Sequence, residues 1–167
     1  MNKKSRTIAL GGILGALCVI SLYAAVYSPV SRLAFYSLSS LFASFMVIES
    51  GIKGGWLFYA ATSALAFLII PDRVSLIPYL VFFGNYGVVK HYIESIGLLL
   101  PEVLLKGICV SVYGVVIYFL YTKVFDISFE SKIPIYGLLA LLIGVFYIYD
   151  FVYTKIIAYY TRRFKSY

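Results

Sequence analysis

The side chains able to carry charge are few, with seven Asp and Glu, fourteen Lys and Arg and one histidine in 167 residues. Several of them stand inside apolar runs, where charge is costly and marks function by default. Lys90 and Glu94 are spaced i, i+4, as are Glu102 and Lys106, so each pair can meet on one face of a helix. Asp150 has no such neighbour, because Lys155 lies five residues on and about 140° around a helix from it. Counted from Pro134 at 1.5 Å per residue, Asp150 lies roughly 24 Å down its helix, at a depth similar to that of Lys90. The spacing therefore predicts an ion pair of Asp150 with Lys90 or His91 across a bundle, the alternative being that Asp150 reaches the inner headgroups. Glu49 falls at a helix end, within reach of water.

One histidine excludes a His-based metal cage, and no Ser/His/Asp constellation or Walker A motif is present. Enzymatic catalysis is the weakest class of explanation; no cofactor and no metal is expected. Cys18 and Cys109 lack metal-binding spacing and read as small packing residues.

Neutral polar and small residues supply the remaining candidates. Asn85 stands between Gly84 and Gly87 in Phe82-Phe83-Gly84-Asn85-Tyr86-Gly87, about halfway across a span, where its amide needs a partner in another helix or in a bound solute. Ser37, Ser40 and Ser44 share a helix face and form either a polar packing seam or a ligand-facing wall. Gly11, Gly12, Gly15 and Ala16 give two overlapping small-xxx-small pairs, and Ala60 and Ala64 give another. Such faces let helices approach closely, inside one bundle or against a separate subunit.

The elements that must position these residues follow from composition. The chain is 62% hydrophobic and 13% charged, where a soluble domain has roughly 25% charged residues. A membrane span needs about 20 apolar residues, so the reading is an all-α integral membrane protein, a single domain of six transmembrane helices. Breaks at Pro, Gly and charge put the spans at about 7–27, 31–50, 56–70, 76–95, 101–123 and 134–160. The Gly51-Ile-Lys-Gly-Gly55 stretch is a turn, Pro71-Asp72-Arg73 stops the short third span, Gly97 closes the fourth, and Asp126 to Lys132 is a polar loop. The basic start, Asn2 to Arg6, resembles a signal n-region, but the apolar run from Thr7 to Tyr27 is too long for a usual h-region and is taken as a retained span.

With the N-terminus inside, ten basic residues lie toward the cytoplasm, namely Lys3, Lys4, Arg6, Lys53, Lys90, Lys106, Lys155, Arg162, Arg163 and Lys165. Four lie outside, Arg32, Arg73, Lys123 and Lys132, and the bias gives an N-in/C-in topology. The net charge of +7 thus reflects orientation, and no nucleic-acid partner is expected. Tyr23, Tyr27, Tyr121, Tyr159 and Tyr160 suit the headgroup layers. The halves show no internal repeat, which disfavours an inverted-repeat transporter.

The length, span number, topology and first helix, Ala9-Leu-Gly-Gly-Ile-Leu-Gly-Ala16, resemble the S components of energy-coupling factor transporters. The resemblance covers most of the chain. It implies a small-solute-binding subunit in a bacterial plasma membrane, in contact with lipid and energised by a transmembrane coupling subunit with ATPases. In that family an AxxxA face on the first helix docks the coupling subunit; the matching positions are Gly12 and Ala16, with glycine in place of one alanine. The family's solute site lies toward the outer side, built from the first loop and later helices, whereas the first loop here is only about Ser28 to Ser31. The resemblance implies solute contacts at Arg32, Asp72, Arg73, Tyr79 and Asn85, and the two arginines suit a carboxylate or phosphate. A non-catalytic scaffold similar to the bacterial rod-shape-determining membrane subunit is the rival reading. A small channel or proton-coupled carrier using Asp150 and Lys90 is the third.

Overall fold

The computed structural model describes residues 3–28, 30–124 and 135–164, and among them every regular element is helical. The helices are α1 (Lys3–Tyr27), α2 (Arg32–Ile69), α3 (Arg73–Pro78), α4 (Gly84–Glu94), α5 (Leu99–Phe119) and α6 (Ile135–Phe164). A wide π turn, Tyr79–Phe83, joins α3 to α4, and a second, Leu120–Val124, ends α5. The expected polar loop 126–132, the helix start at Pro134, and Pro29 and Lys165 lie outside the described residues. The chain divides into two compact units, 1–91 and 92–167.

In the first unit, α2 is a hairpin of two helical arms. Gly51 has φ +76° and ψ −179°, a left-handed φ that favours glycine, and helical geometry holds on either side of it. The glycine turn anticipated over Gly51 to Gly55 thus contracts to one residue. A Cβ on Gly55 would lie 2.4 Å from Val47 Cγ2, although eight residues of straight helix would separate them by about 12 Å. The chain therefore folds back at Gly51.

Both arms pack on α1 through its small face: a Cβ on Gly11 would meet Met46 at 3.5 Å, and one on Gly15 would meet Phe58 at 3.7 Å. Cys18, Leu22 and Ala25 continue this buried face. The opposite side exposes Ile13, Leu17 and Ile20.

Asp72 starts α3 by capping it. Its carboxylate accepts from Ser75 N at 3.2 Å and from Ser75 Oγ at 2.6 Å. Pro78, lacking an N–H, cannot make the usual bond to the carbonyl four residues back. The helix then widens, and Gly84 N–H donates to Tyr79 O, five residues back.

In the second unit α5 and α6 run antiparallel. Tyr147 Oη donates to Val103 O at 3.0 Å, while a Cβ on Gly114 would stand 3.3 Å from Leu142. Val103, Leu104, Ile108, Val112, Val115 and Phe119 on α5, and Leu141, Val145, Ile148 and Phe151 on α6, are exposed. Soluble monomers rarely expose an apolar patch of more than a few hundred Å².

Among the described residues, four helices are long and apolar enough to cross a membrane: 5–27, 32–69, 100–123 and 140–163. These faces suit lipid.

Candidate functional sites

Two polar centres stand out, one in each unit. In the first, Tyr79 is fully buried and its hydroxyl lies 2.7 Å from Thr62 Oγ1 and 3.4 Å from Cys18 Sγ. Thr62 gives its proton to Phe58 O at 2.8 Å, so Tyr79 donates to Thr62. Cys18 Sγ also lies 3.7 Å from Ser39 O. Around this centre, Tyr36 donates to Ser75 O and Tyr59 to Leu80 O. These bonds join α1, both arms of α2 and the α3–α4 segment. Gly84 makes the close approach possible, since a Cβ there would stand 2.6 Å from the Tyr59 ring and 3.0 Å from that of Tyr79.

The residues expected to contact solute are not gathered into one pocket. Tyr79 faces the interior. Asn85 Nδ2 donates to Val81 O at 3.0 Å, within its own helical segment, and its buried Oδ1 has no hydrogen-bond partner among the described residues. Arg32, Asp72 and Arg73 are exposed. The Arg73 guanidinium lies 3.9 Å from the centre of the Phe67 ring, a cation–π contact. The Ser75 hydroxyl, donating to Asp72, holds its carboxyl below the usual carboxylate range, with Arg32 contributing attraction. Of the serine stripe, Ser40 and Ser44 are buried and Ser37 bonds Leu33 O, while Ser44 backs onto Gly87.

The small-residue face of α1 splits in two. Gly11 and Gly15 turn inward, whereas Gly12 and Ala16 are exposed and, among the described residues, nothing lies within 4 Å of a Cβ built on Gly12. Ala60 and Ala64 are exposed as well.

The second centre is Lys106. Its ammonium donates to Glu102 Oε1 at 2.7 Å, Glu94 Oε1 at 2.9 Å and Asp150 Oδ2 at 2.9 Å. An ammonium has three N–H donors, and here each finds a different carboxylate. The acceptors come from the end of α4, the first turn of α5 and the middle of α6. The Lys106 side chain is 5% exposed, that of Asp150 11%, and that of Glu94 35%. The cluster walls a cleft of about 480 Å³, together with Tyr147, Phe151 and Lys155.

Asp150 thus finds a partner that the i, i+4 spacing had assigned to Glu102 alone. Glu94, spaced i, i+4 from Lys90, also reaches Lys106. Lys90 is buried and His91 exposed, at the end of the first unit. A sign of the Lys106–Asp150 contact does exist in the sequence: the two residues are nearly equidistant from the centre of the polar loop 126–132, as facing residues of an antiparallel hairpin are. Among the described residues, no three His, Cys, Asp or Glu side chains are grouped as metal ligands would be.

No family model, no curated protein and no solved structure matches this chain. Its own geometry defines the class: among the described residues every regular element is helical, and several helices are long and apolar enough to span a membrane.

Proposed function

We propose that the chain is the small-solute-binding subunit of a membrane uptake transporter, energised by a separate coupling subunit with ATPases, as the resemblance to S components implies. It would cross a bacterial plasma membrane six times with both ends in the cytoplasm. In that reading the two arms of α2 are separate spans, and residues 73–94, helical throughout, form another. The observation that carries the proposal is the divided face of α1. Gly11 and Gly15 are used up in packing, while Gly12 and Ala16 present an open, close-approach surface suited to a second membrane subunit. Solute contact is sought at the exposed Arg32, Asp72 and Arg73, with Tyr79 and Asn85 behind them in the same unit.

The test has two readouts. The tagged full-length chain, purified from its native membrane, should bring a transmembrane subunit and two ATPases, and Gly12→Leu should release them without loss of fold. A vitamin at about a hundred times its Kd should add about 2.7 kcal/mol to stability in detergent. Capture of cell-wall or division proteins, with no stabilising vitamin, would replace this reading with the scaffold.

A further inference from the structure

The last four turns of α6 carry a feature that the proposed transport role does not use. The helix has 30 residues and is about 45 Å long, against roughly 30 Å of hydrocarbon. The pairing of Lys106 with Asp150 fixes its register against α5. From that level α5 runs back seven residues to Leu99, about 10 Å, while α6 runs on fourteen residues to Phe164, about 21 Å. Roughly two turns of α6 therefore overhang the start of α5.

The overhang is basic on one side. At 100° per residue, Ile148, Phe151, Val152, Lys155, Tyr159, Arg162 and Arg163 fall within one exposed stripe. Its first part is apolar and its last part cationic. Arg163 Nη1 donates to Tyr159 Oη at 2.9 Å, which anchors one edge of the guanidinium and leaves the other N–H groups to an acceptor. Lys155 Nζ lies 5.3 Å from the centre of the Phe151 ring, at the border between this stripe and the cleft of the Lys106 cluster. The sequence holds no Asp or Glu after Asp150.

We infer that this stripe is a binding site for an anionic phospholipid, whose acyl chain lies along Ile148, Phe151 and Val152 and whose phosphate meets Arg162 and Arg163, with Lys155 adding attraction from about two turns nearer the acyl chain. Apolar length and cationic end are collinear, as a single lipid requires, and Arg suits the geometry of phosphate oxygens. The inference rests on the chain lying in a bilayer; it does not require the coupling subunit or a solute.

Native mass spectrometry of the purified full-length protein in detergent tests it, by titration with phosphatidylglycerol or with phosphatidylcholine of the same acyl chains. Phosphatidylglycerol should bind in preference, and the preference should fall with added salt. Each basic residue removed should weaken it about fivefold, so Arg162→Gln with Arg163→Gln should lose about thirtyfold. Lys53→Gln, an exposed charge in the other unit, should leave binding unchanged, and 10 mM inorganic phosphate, on the order of a ten-thousandfold excess over micromolar protein, should not displace the lipid. Equal binding of the two lipids, equal binding by the double variant, or displacement by phosphate would overturn the site. If the double variant fails to fold, Lys155→Gln with the salt series decides the matter in the same way.

Discussion

The two units solve the same problem, polar groups held among apolar helices, by different chemistry. The first uses neutral hydroxyls and a thiol: Tyr79, Thr62, Cys18, Tyr36 and Tyr59 bond each other or backbone carbonyls across four helical segments. The second uses charge, with one ammonium shared by three carboxylates. Packing differs in parallel. In the apolar window of α2, 44% of residues are buried, against 11% in α5. A neutral bond in a tight core costs little to keep and contributes about 1 kcal/mol net. An ion cluster is expensive to desolvate, and removing one member strands the others. The hydroxyl centre of the first unit therefore loses little from any one of its groups, while the second unit depends on Lys106.

The largest expected effect follows from that dependence. Lys106→Met leaves three carboxylates facing one another without their cation and should cost about 3 kcal/mol of stability, read by thermal unfolding in detergent. Adding Asp150→Asn should recover part of the loss, and a double-mutant cycle with coupling below about 0.5 kcal/mol would remove the cluster as the organising feature of the second unit. Next in size is a packing effect in the first unit. Gly84→Ala places a methyl 2.6 Å from the Tyr59 ring and should cost about 2 kcal/mol, by the overpacking that a dense core does not absorb. Neutral behaviour there would mean that the first unit is as loosely packed as the second.

Much of the helical outline was legible in the sequence, and the reasons are local. Gly51 reverses the chain because its φ is left-handed, Gly97 ends α4 with φ +71° for the same reason, and Asp72 followed by Ser75 forms a cap within one turn. The Glu102–Lys106 contact is also local, since i, i+4 places both on one face. What spacing along one helix does not encode is the register between helices. Spacing along one helix therefore leaves out the contacts of Glu94 and Asp150 with Lys106, and those of the Tyr79 hydroxyl with Thr62 and Cys18. The π turn was equally hidden: Pro78 announces a missing donor, but whether the helix kinks or widens depends on Tyr59 and Asn85 being there to bond Leu80 O and Val81 O.

A smaller effect sharpens the contrast from the neutral side. Tyr79→Phe removes one hydroxyl from a centre whose other members keep backbone partners, Thr62 with Phe58 O and Cys18 near Ser39 O. The expected loss is about 1 kcal/mol, well below that of Lys106→Met. A loss as large as that of the lysine would mean that Tyr79 holds the first unit together as Lys106 holds the second.

The smallest effect tests the charged cap at the edge of the first unit. Because Ser75 donates to it, the Asp72 carboxyl is held below its ordinary range, and the sign of the linkage follows. A carboxylate with a depressed folded-state pKa contributes stability that is fully present above the unfolded value, near 3.9, and is lost as pH falls through the folded value. Stability measured from pH 5 downward should therefore fall in the native chain. In Asp72→Asn, which keeps an acceptor for Ser75 N but has no titrating group, that part of the slope should vanish. The exposure of Asp72 to water makes the difference small. An unchanged slope in the variant would mean that the Asp72 cap adds no acid-linked stability to the first unit.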